Sequence, residues 1–166
     1  MNSDNFGSSN QNPIPTPPLS VPCMSTRCRK TGDDFGPGPY VDNITNATLA
    51  NPYYRRVLWT GPHLQTTLMC IPPQGEIGLE IHPDLDQFLR LEQGRGKVMM
   101  GSARNDLDYQ KNVADNYAVF IPAKTWHNVI NTGNEPMTLY SIYSQQQHPV
   151  GTIQCTKADS DAAAAD

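Results

Sequence analysis

Gly75-Glu76-Ile77-Gly78-Leu79-Glu80-Ile81-His82-Pro83-Asp84-Leu85-Asp86-Gln87-Phe88-Leu89-Arg90-Leu91-Glu92-Gln93-Gly94-Arg95-Gly96 is the most informative stretch of this 166-residue chain. Apolar and polar residues alternate on both sides of a turn, the pattern of two half-buried strands. Glu80 and His82 stand two residues apart, so in an extended strand both side chains point to one face, with Leu79 and Ile81 on the other. Pro83 removes a ladder donor and ends the strand. Pro83–Asp86 then reverses the chain, and Gln87 opens the next strand on the face of Leu89 and Leu91. In an antiparallel pair joined by this turn, Gln87 returns close to His82. Far downstream, His127 shares its strand face with Val129 and Asn131. One carboxylate and two imidazoles make a ligand set suited to Fe(II) with open coordination positions, and Gln87 adds a neutral oxygen. Mn, Ni, Co or Zn also accept this mixture. The reading is therefore one divalent metal ion, of identity left open, held by Glu80, His82, Gln87 and His127.

The strand pattern extends outward from this stretch. Candidate strands are Tyr54–Thr60, Gln65–Ile71, Glu76–His82, Gln87–Glu92, Lys97–Gly101, Tyr117–Ile121, Trp126–Asn131 and Met137–Ser144. Each is short, rich in β-branched, aromatic and aliphatic residues, and bounded by Gly, Pro, Asn or Asp. One helical turn is expected around Thr45–Asn51, stopped by Pro52. Evenly spaced strands without intervening helices point to an all-β sandwich or barrel. Ser102–Asn116 is polar and longer than a hairpin needs, and reads as a protruding loop. Alternation supplies an apolar cavity lining of Leu89, Leu91, Met100, Ile121 and Val129 around the polar centre.

The two ends differ from the middle. Pro13, Pro15, Pro17, Pro18, Pro22, Pro37 and Pro39 crowd the first 39 residues, which are otherwise rich in Ser, Asn and Gly. Such a stretch buries too little apolar surface to offset its ordering entropy. The expected organisation is a disordered arm over 1–39, one domain over 40–157 and a fraying tail over 158–166. The net charge is -4. Without a cluster of Lys and Arg, nucleic acid is not an expected partner. No apolar run reaches membrane-span length, and no apolar export segment opens the chain, so a cytoplasmic protein is expected. Cys23 and Cys28 suggest a zinc site or a labile disulfide within the arm. Cys70 reads as a small core residue, and Cys155 has no assigned role.

Two separated motifs carry a family resemblance. The stretch from Gly75 to Gly96 resembles the first cupin motif, a glycine followed by His-x-His, a Glu three or four residues on, and a closing glycine. Glu80 falls at the first His, His82 at the second, Gln87 at the Glu and Gly94 at the closing glycine. Pro122-Ala123-Lys124-Thr125-Trp126-His127-Asn128-Val129-Ile130-Asn131 resembles the second motif, Pro-x-Gly-x-x-His-x-x-x-Asn, with Lys124 in place of the glycine. The resemblance covers roughly residues 54 to 144. It implies a double-stranded β-helix, or jelly-roll barrel, and a homodimer. Two of the four usual ligand positions have changed type, yet one carboxylate and two imidazoles remain. The flanking Tyr53–Leu58 and Lys157–Asp159 also resemble small cupins loosely labelled sugar-phosphate isomerase-like, a likeness of fold and not of reaction.

Two functions fit these residues. One is a metalloenzyme that oxidises or isomerises a small oxygen-rich molecule, with Glu80 as the catalytic base once off the metal. The other is a non-catalytic module that binds or senses a small molecule in the same cavity. Asp84 is an alternative carboxylate to Glu80, and Gln87 an alternative orienting neighbour rather than a ligand. Asn131 reads as a turn residue, His63 and His148 as solvated loop histidines, and Trp126 as an outward-facing ring. One of Tyr140 and Tyr143 could face the cavity. Arg90 points away from it.

Overall fold

The computed structural model describes Pro22, Cys23, Cys28 and residues 31–165. Most of the expected arm, including residues 1–21, lies outside them. The elements in chain order are α1 (Ile44–Leu49), β1 (Arg55–Thr60), β2 (Gln65–Ile71), β3 (Gln87–Gln93), β4 (Gly96–Gly101), β5 (Tyr109–Val113), β6 (Ala118–Ile121), β7 (Trp126–Asn131), β8 (Met137–Tyr143), β9 (Ile153–Gln154) and α2 (Lys157–Ala165). They form a six-stranded sheet, ordered β6-β3-β8-β2-β1-β9, and a three-stranded sheet, ordered β5-β4-β7. All the strand pairs are antiparallel. This is the expected jelly-roll architecture.

The core lies between the sheets. Met69, Ile71, Leu89, Leu91, Val98, Val129, Met137 and Leu139 are buried in one cluster, and Met100 packs against it. The proposed lining of Leu89, Leu91, Met100, Ile121 and Val129 is all found here. The opposite face of the large sheet buries Leu58, Leu68 and Tyr140 beneath Ile44 and Ala47 of α1. That helix begins where Asn43 accepts a hydrogen bond from the Asn46 N–H, the usual side-chain substitute for a missing helical carbonyl.

Three elements depart from the sequence reading. Glu76–His82 is not a regular strand. It meets β7 through isolated bridges, Glu76 to Ile130 and Glu80 to His127. One more residue separates the bridges on this segment than on β7, so it carries a bulge. Gly78 occupies the bulge with φ +103°, and its N–H donates to Asn128 Oδ1 at 3.0 Å. Second, the expected loop 102–116 contains β5, whose residues are exposed apart from Val113. A solvated edge strand needs no apolar alternation, so its sequence does not announce it. Third, helix α2 (Lys157–Ala165) runs through the stretch expected as a fraying tail from residue 158.

The amino-terminal segment is also tied to the barrel. Asp34 Oδ1 accepts hydrogen bonds from the main chains of Gly36 and Thr60, and its Oδ2 accepts one from the Thr60 hydroxyl. Thr31 pairs with Thr152, and the Phe35 N–H donates to the Leu58 carbonyl. Residues 31–39 therefore run along the six-stranded sheet and extend the ordered unit before residue 40.

The cysteines correct their sequence reading. Cys23 pairs with Cys70 of β2, and Cys28 with Cys155 beside α2. The partners lie 47 and 127 residues apart, so local spacing around Cys23 and Cys28 could not reveal them. Cross-links of this kind form and persist mainly in oxidising surroundings. Among the described residues, no helix is long and apolar enough to cross a membrane. Oxidised protein unfolded in guanidinium is expected to show no reactive thiol in an Ellman titration. The Cys23→Ser, Cys70→Ser double variant should lose about 2–5 kcal/mol of stability to denaturant. Four titratable thiols in protein purified without reductant would refute the pairing.

Candidate metal centre

The bulge at Gly78 sets the centre. Ile77 and Glu80 are an odd number of residues apart, yet Ile77 packs in the interior core and Glu80 bonds to an interior histidine. Only the extra residue at Gly78 lets both face inward. The Glu80 N–H then donates to the His127 carbonyl at 3.0 Å, and the His127 N–H returns a bond to Glu80 at 2.9 Å. Beyond the bridge, the His82 carbonyl accepts from the Lys124 N–H at 2.8 Å. Lys124 has φ +64°, a left-handed conformation that explains the glycine usual in this motif.

Three side chains converge. Glu80 Oε1 lies 3.3 Å from His127 Nε2 and 3.5 Å from His82 Nε2. Their ligand atoms all lie within 4.8 Å of one another, and both histidines are buried. His127 Nδ1 meets the Thr125 carbonyl at 2.8 Å, which fixes the ring and directs Nε2 toward Glu80. His82 Nε2 is buried without a hydrogen-bond partner. Burial would push the Glu80 carboxyl up, but the contacts with His127 and His82 and the charge of Arg55 outweigh it, holding Glu80 well below the usual carboxylate range. A carboxylate and inward-facing imidazole nitrogens thus meet at one point, an arrangement that a cation between them satisfies. The residues fit a divalent ion.

Gln87 is 2% exposed at the start of β3. Its Nε2 donates to Ser141 Oγ at 2.9 Å, while its Oε1 has no partner. This fixes the amide and leaves its oxygen available. Tyr143 lies beside the centre, its ring edge-on to His82 at 5.7 Å. It is the inward tyrosine, whereas Tyr140 packs on the outer face. Asn131 holds a turn as expected, donating to the carbonyls of Ile71, Pro72 and Glu135 and accepting from the Gly133 N–H. Arg90 lies away from the centre, against Glu92 and Asn116. His63 is exposed, and the Arg104 guanidinium covers the half-buried Trp126 ring.

These observations meet three comparisons. The family profile for the cupin domain matches residues 67–143. The uncharacterized protein YrkC of Bacillus subtilis is 57% identical over 130 residues, covering 78% of this chain and 70% of YrkC. The chain belongs to the cupin family. A second relative of this cupin, the uncharacterized protein L612 of Acanthamoeba polyphaga mimivirus, is 42% identical over 73% of this chain and 74% of L612. The crystal structure of BH2720 from Bacillus halodurans superposes with a TM-score of 0.77 at 58% identity, covering 78% of this chain and 98% of that one.

The sequence reading missed two residues near the centre. His148, expected in solvent, stacks edge-on against Tyr143 with ring centroids 5.4 Å apart. Gln65 holds it there: Oε1 accepts from the His148 N–H and Nε2 donates to the His148 carbonyl. Arg55 is the other. Its position in a short strand offered no signal, because an arginine there is ordinarily solvated.

Burial, then the charge of Arg55, depress the His148 pKa to about 3, with Glu80 partly opposing them. The sign follows directly. Between the unfolded value near ~6.5 and the folded value, only the unfolded chain binds this proton, so stability falls as pH falls. It is fully present above the unfolded value. In metal-free protein, His148→Gln is expected to flatten the loss of stability between pH 6.5 and 5 by up to about 1.4 kcal/mol per pH unit. Urea midpoints measured across that range check it, and parallel curves for the two proteins would contradict the lowered His148 pKa.

Proposed function

We propose that this cupin is a metalloenzyme that holds one divalent ion through Glu80, His82, Gln87 and His127 and acts on a small oxygen-rich molecule by oxidation or isomerisation. The supporting observation is the convergence of Glu80, His82 and His127 with His82 Nε2 buried and unpartnered. Gln87 joins the set because its amide nitrogen is engaged and its oxygen is not. When bound, the ion supplies Lewis-acid polarisation of substrate oxygens and, with Fe, redox chemistry.

The chain's own groups have distinct tasks. The apolar lining of Leu89, Leu91, Ile121 and Val129 limits water at the centre. Burial raises the Tyr143 pKa, favouring a protonated hydroxyl that can donate to a substrate oxygen. Glu80, once displaced from the ion, is the catalytic base in this reading. Homodimerisation accompanies the proposal and is read by light scattering.

His82→Ala and His127→Ala are each expected to lose bound metal in elemental analysis of protein purified without chelator, while His63→Ala keeps it. Gln87→Ala should retain metal with about 10–100-fold weaker affinity, judged from the usual effect of weakening a site's supporting groups. Equal metal content in all four variants refutes the centre. Turnover is tested by screening diketones, sugars and phenols against the Fe(II), Mn(II), Ni(II), Co(II) and Zn(II) forms. Ligand-induced thermal stabilisation without turnover in any form would replace the enzyme with a binding module.

A further inference from the structure

The two disulfides differ in what surrounds them. Cys23 is 7% exposed and Cys70 of β2 is fully buried, so that pair is closed to solvent. Cys28 is exposed and Cys155 half-buried. Both line a cleft of about 410 Å³ beside β9 and α2, together with Gln154, Asp159, Ala162 and Ala163. A cleft of that size admits a small molecule. Disulfide exchange needs a thiolate to reach a sulfur, so access separates a labile disulfide from an inert one. By that criterion Cys28–Cys155 is open to attack and Cys23–Cys70 is not.

The accessible pair also sits where it restrains a helix. Cys155 lies two residues before α2 begins at Lys157. The helix has 9 residues, and none of them is buried. A helix this short is marginal in water unless packing supports it, and α2 buries no apolar face. Local bonds shape it: Thr156 and Asp159 cap its first turn, and Lys157 pairs with Asp161. Polar contacts seat it on the barrel. Arg55 of β1, 3% exposed, donates through Nη1 to Ser160 Oγ and Gln154 Oε1, each at 2.8 Å. The Lys157 side chain lies against Gly78. The bond to Cys28 adds a covalent restraint just ahead of the helix.

We propose that Cys28–Cys155 is a thiol-exchange site, at which a low-molecular-weight thiol releases helix α2. The thiolate attacks the exposed Cys28 sulfur and forms a mixed disulfide there. The Cys155 sulfur leaves as a thiolate and takes up a proton. A second small thiol attacks the mixed disulfide, which leaves Cys28 as a thiol and the two small thiols joined as their own disulfide. The protein disulfide thus gains two electrons and two protons, both supplied by the small thiols. Cys23–Cys70 stays closed throughout. With the bond open, α2 is left on its polar contacts. Its departure withdraws Ser160 from Arg55 and Lys157 from Gly78, the residue whose bulge aims Glu80. None of these steps depends on a metal at the centre.

The test is stepwise reduction of the oxidised, folded, full-length protein with glutathione and with dithiothreitol, followed by alkylation and peptide mapping. Cys28 and Cys155 should become alkylated at a thiol concentration at least about 10-fold below that needed for Cys23 and Cys70. Hydrogen exchange of residues 157–165, measured on the same samples, should be at least about 10-fold faster once Cys28–Cys155 is reduced. Cys155→Ser should show that faster exchange without added thiol. Reduction of both disulfides together, of Cys23–Cys70 first, or of neither short of unfolding overturns the exchange site. Helix exchange that reduction leaves unchanged, or that is already unprotected in the oxidised protein, overturns the release of α2. The wild-type comparison stands even if Cys155→Ser does not fold.

Discussion

The paired hydrogen bonds between the main chains of Glu80 and His127 hold this site together. They join an irregular segment to a regular strand at the point where chemistry is concentrated. Their register depends on the extra residue at Gly78, whose φ of +103° favours glycine. Without that residue the inward set of Ile77 and the inward set of Glu80 could not coexist. A bulge beside a functional site is a common device for re-aiming a side chain, and here it aims a carboxylate at two imidazoles.

Around this point the barrel is divided by polarity. Much of the space between the sheets is filled by Leu, Ile, Val and Met, which excludes water and gives electrostatic interactions more reach. The polar remainder is concentrated near the centre, in Gln65, Thr67, Gln87, Tyr143 and Ser141, with Arg55 and His148 beside them. Several of these groups serve one another: Gln65 holds His148, and Ser141 accepts from Gln87. Two buried atoms beside the candidate centre, His82 Nε2 and Gln87 Oε1, have no hydrogen-bond partner among the described residues, and buried polar atoms ordinarily find one.

The periphery supports the same region. Cys28–Cys155 ties the amino-terminal segment to the chain just before α2, and α2 supplies Ser160 to Arg55. Cys23–Cys70 anchors that segment to β2, two strands from the β3 that carries Gln87. Through Cys28–Cys155 a described residue of the amino-terminal segment is tied to the chain two residues before the helix that holds Arg55.

Alternation and punctuation determined much of this protein in advance. The strands β1 to β4 and β6 to β8, an all-β sandwich or barrel, the common face of Glu80 and His82 and the role of Asn131 follow from residue type and spacing, and the two-motif resemblance narrowed the class to a jelly roll. His127 was legible because its Pro122 and Asn131 flanks belong to the same motif. Other features were not. Strand β5 is solvated and lacks a pattern, the Gly78 bulge converts a predicted strand into two bridges, and the cysteine pairs join residues remote in sequence. The inward burial of Arg55 and the seating of His148 depend on partners from distant elements, Gln154 and Ser160 in one case and Gln65 in the other. The reason is physical: periodicity reports which face of an element is apolar, whereas a buried charge or a re-aimed carboxylate is fixed by what the opposing elements bring to it. By itself the sequence determined the barrel and the residue types of its candidate metal site. Only the tertiary structure decided that the candidate ligand atoms meet.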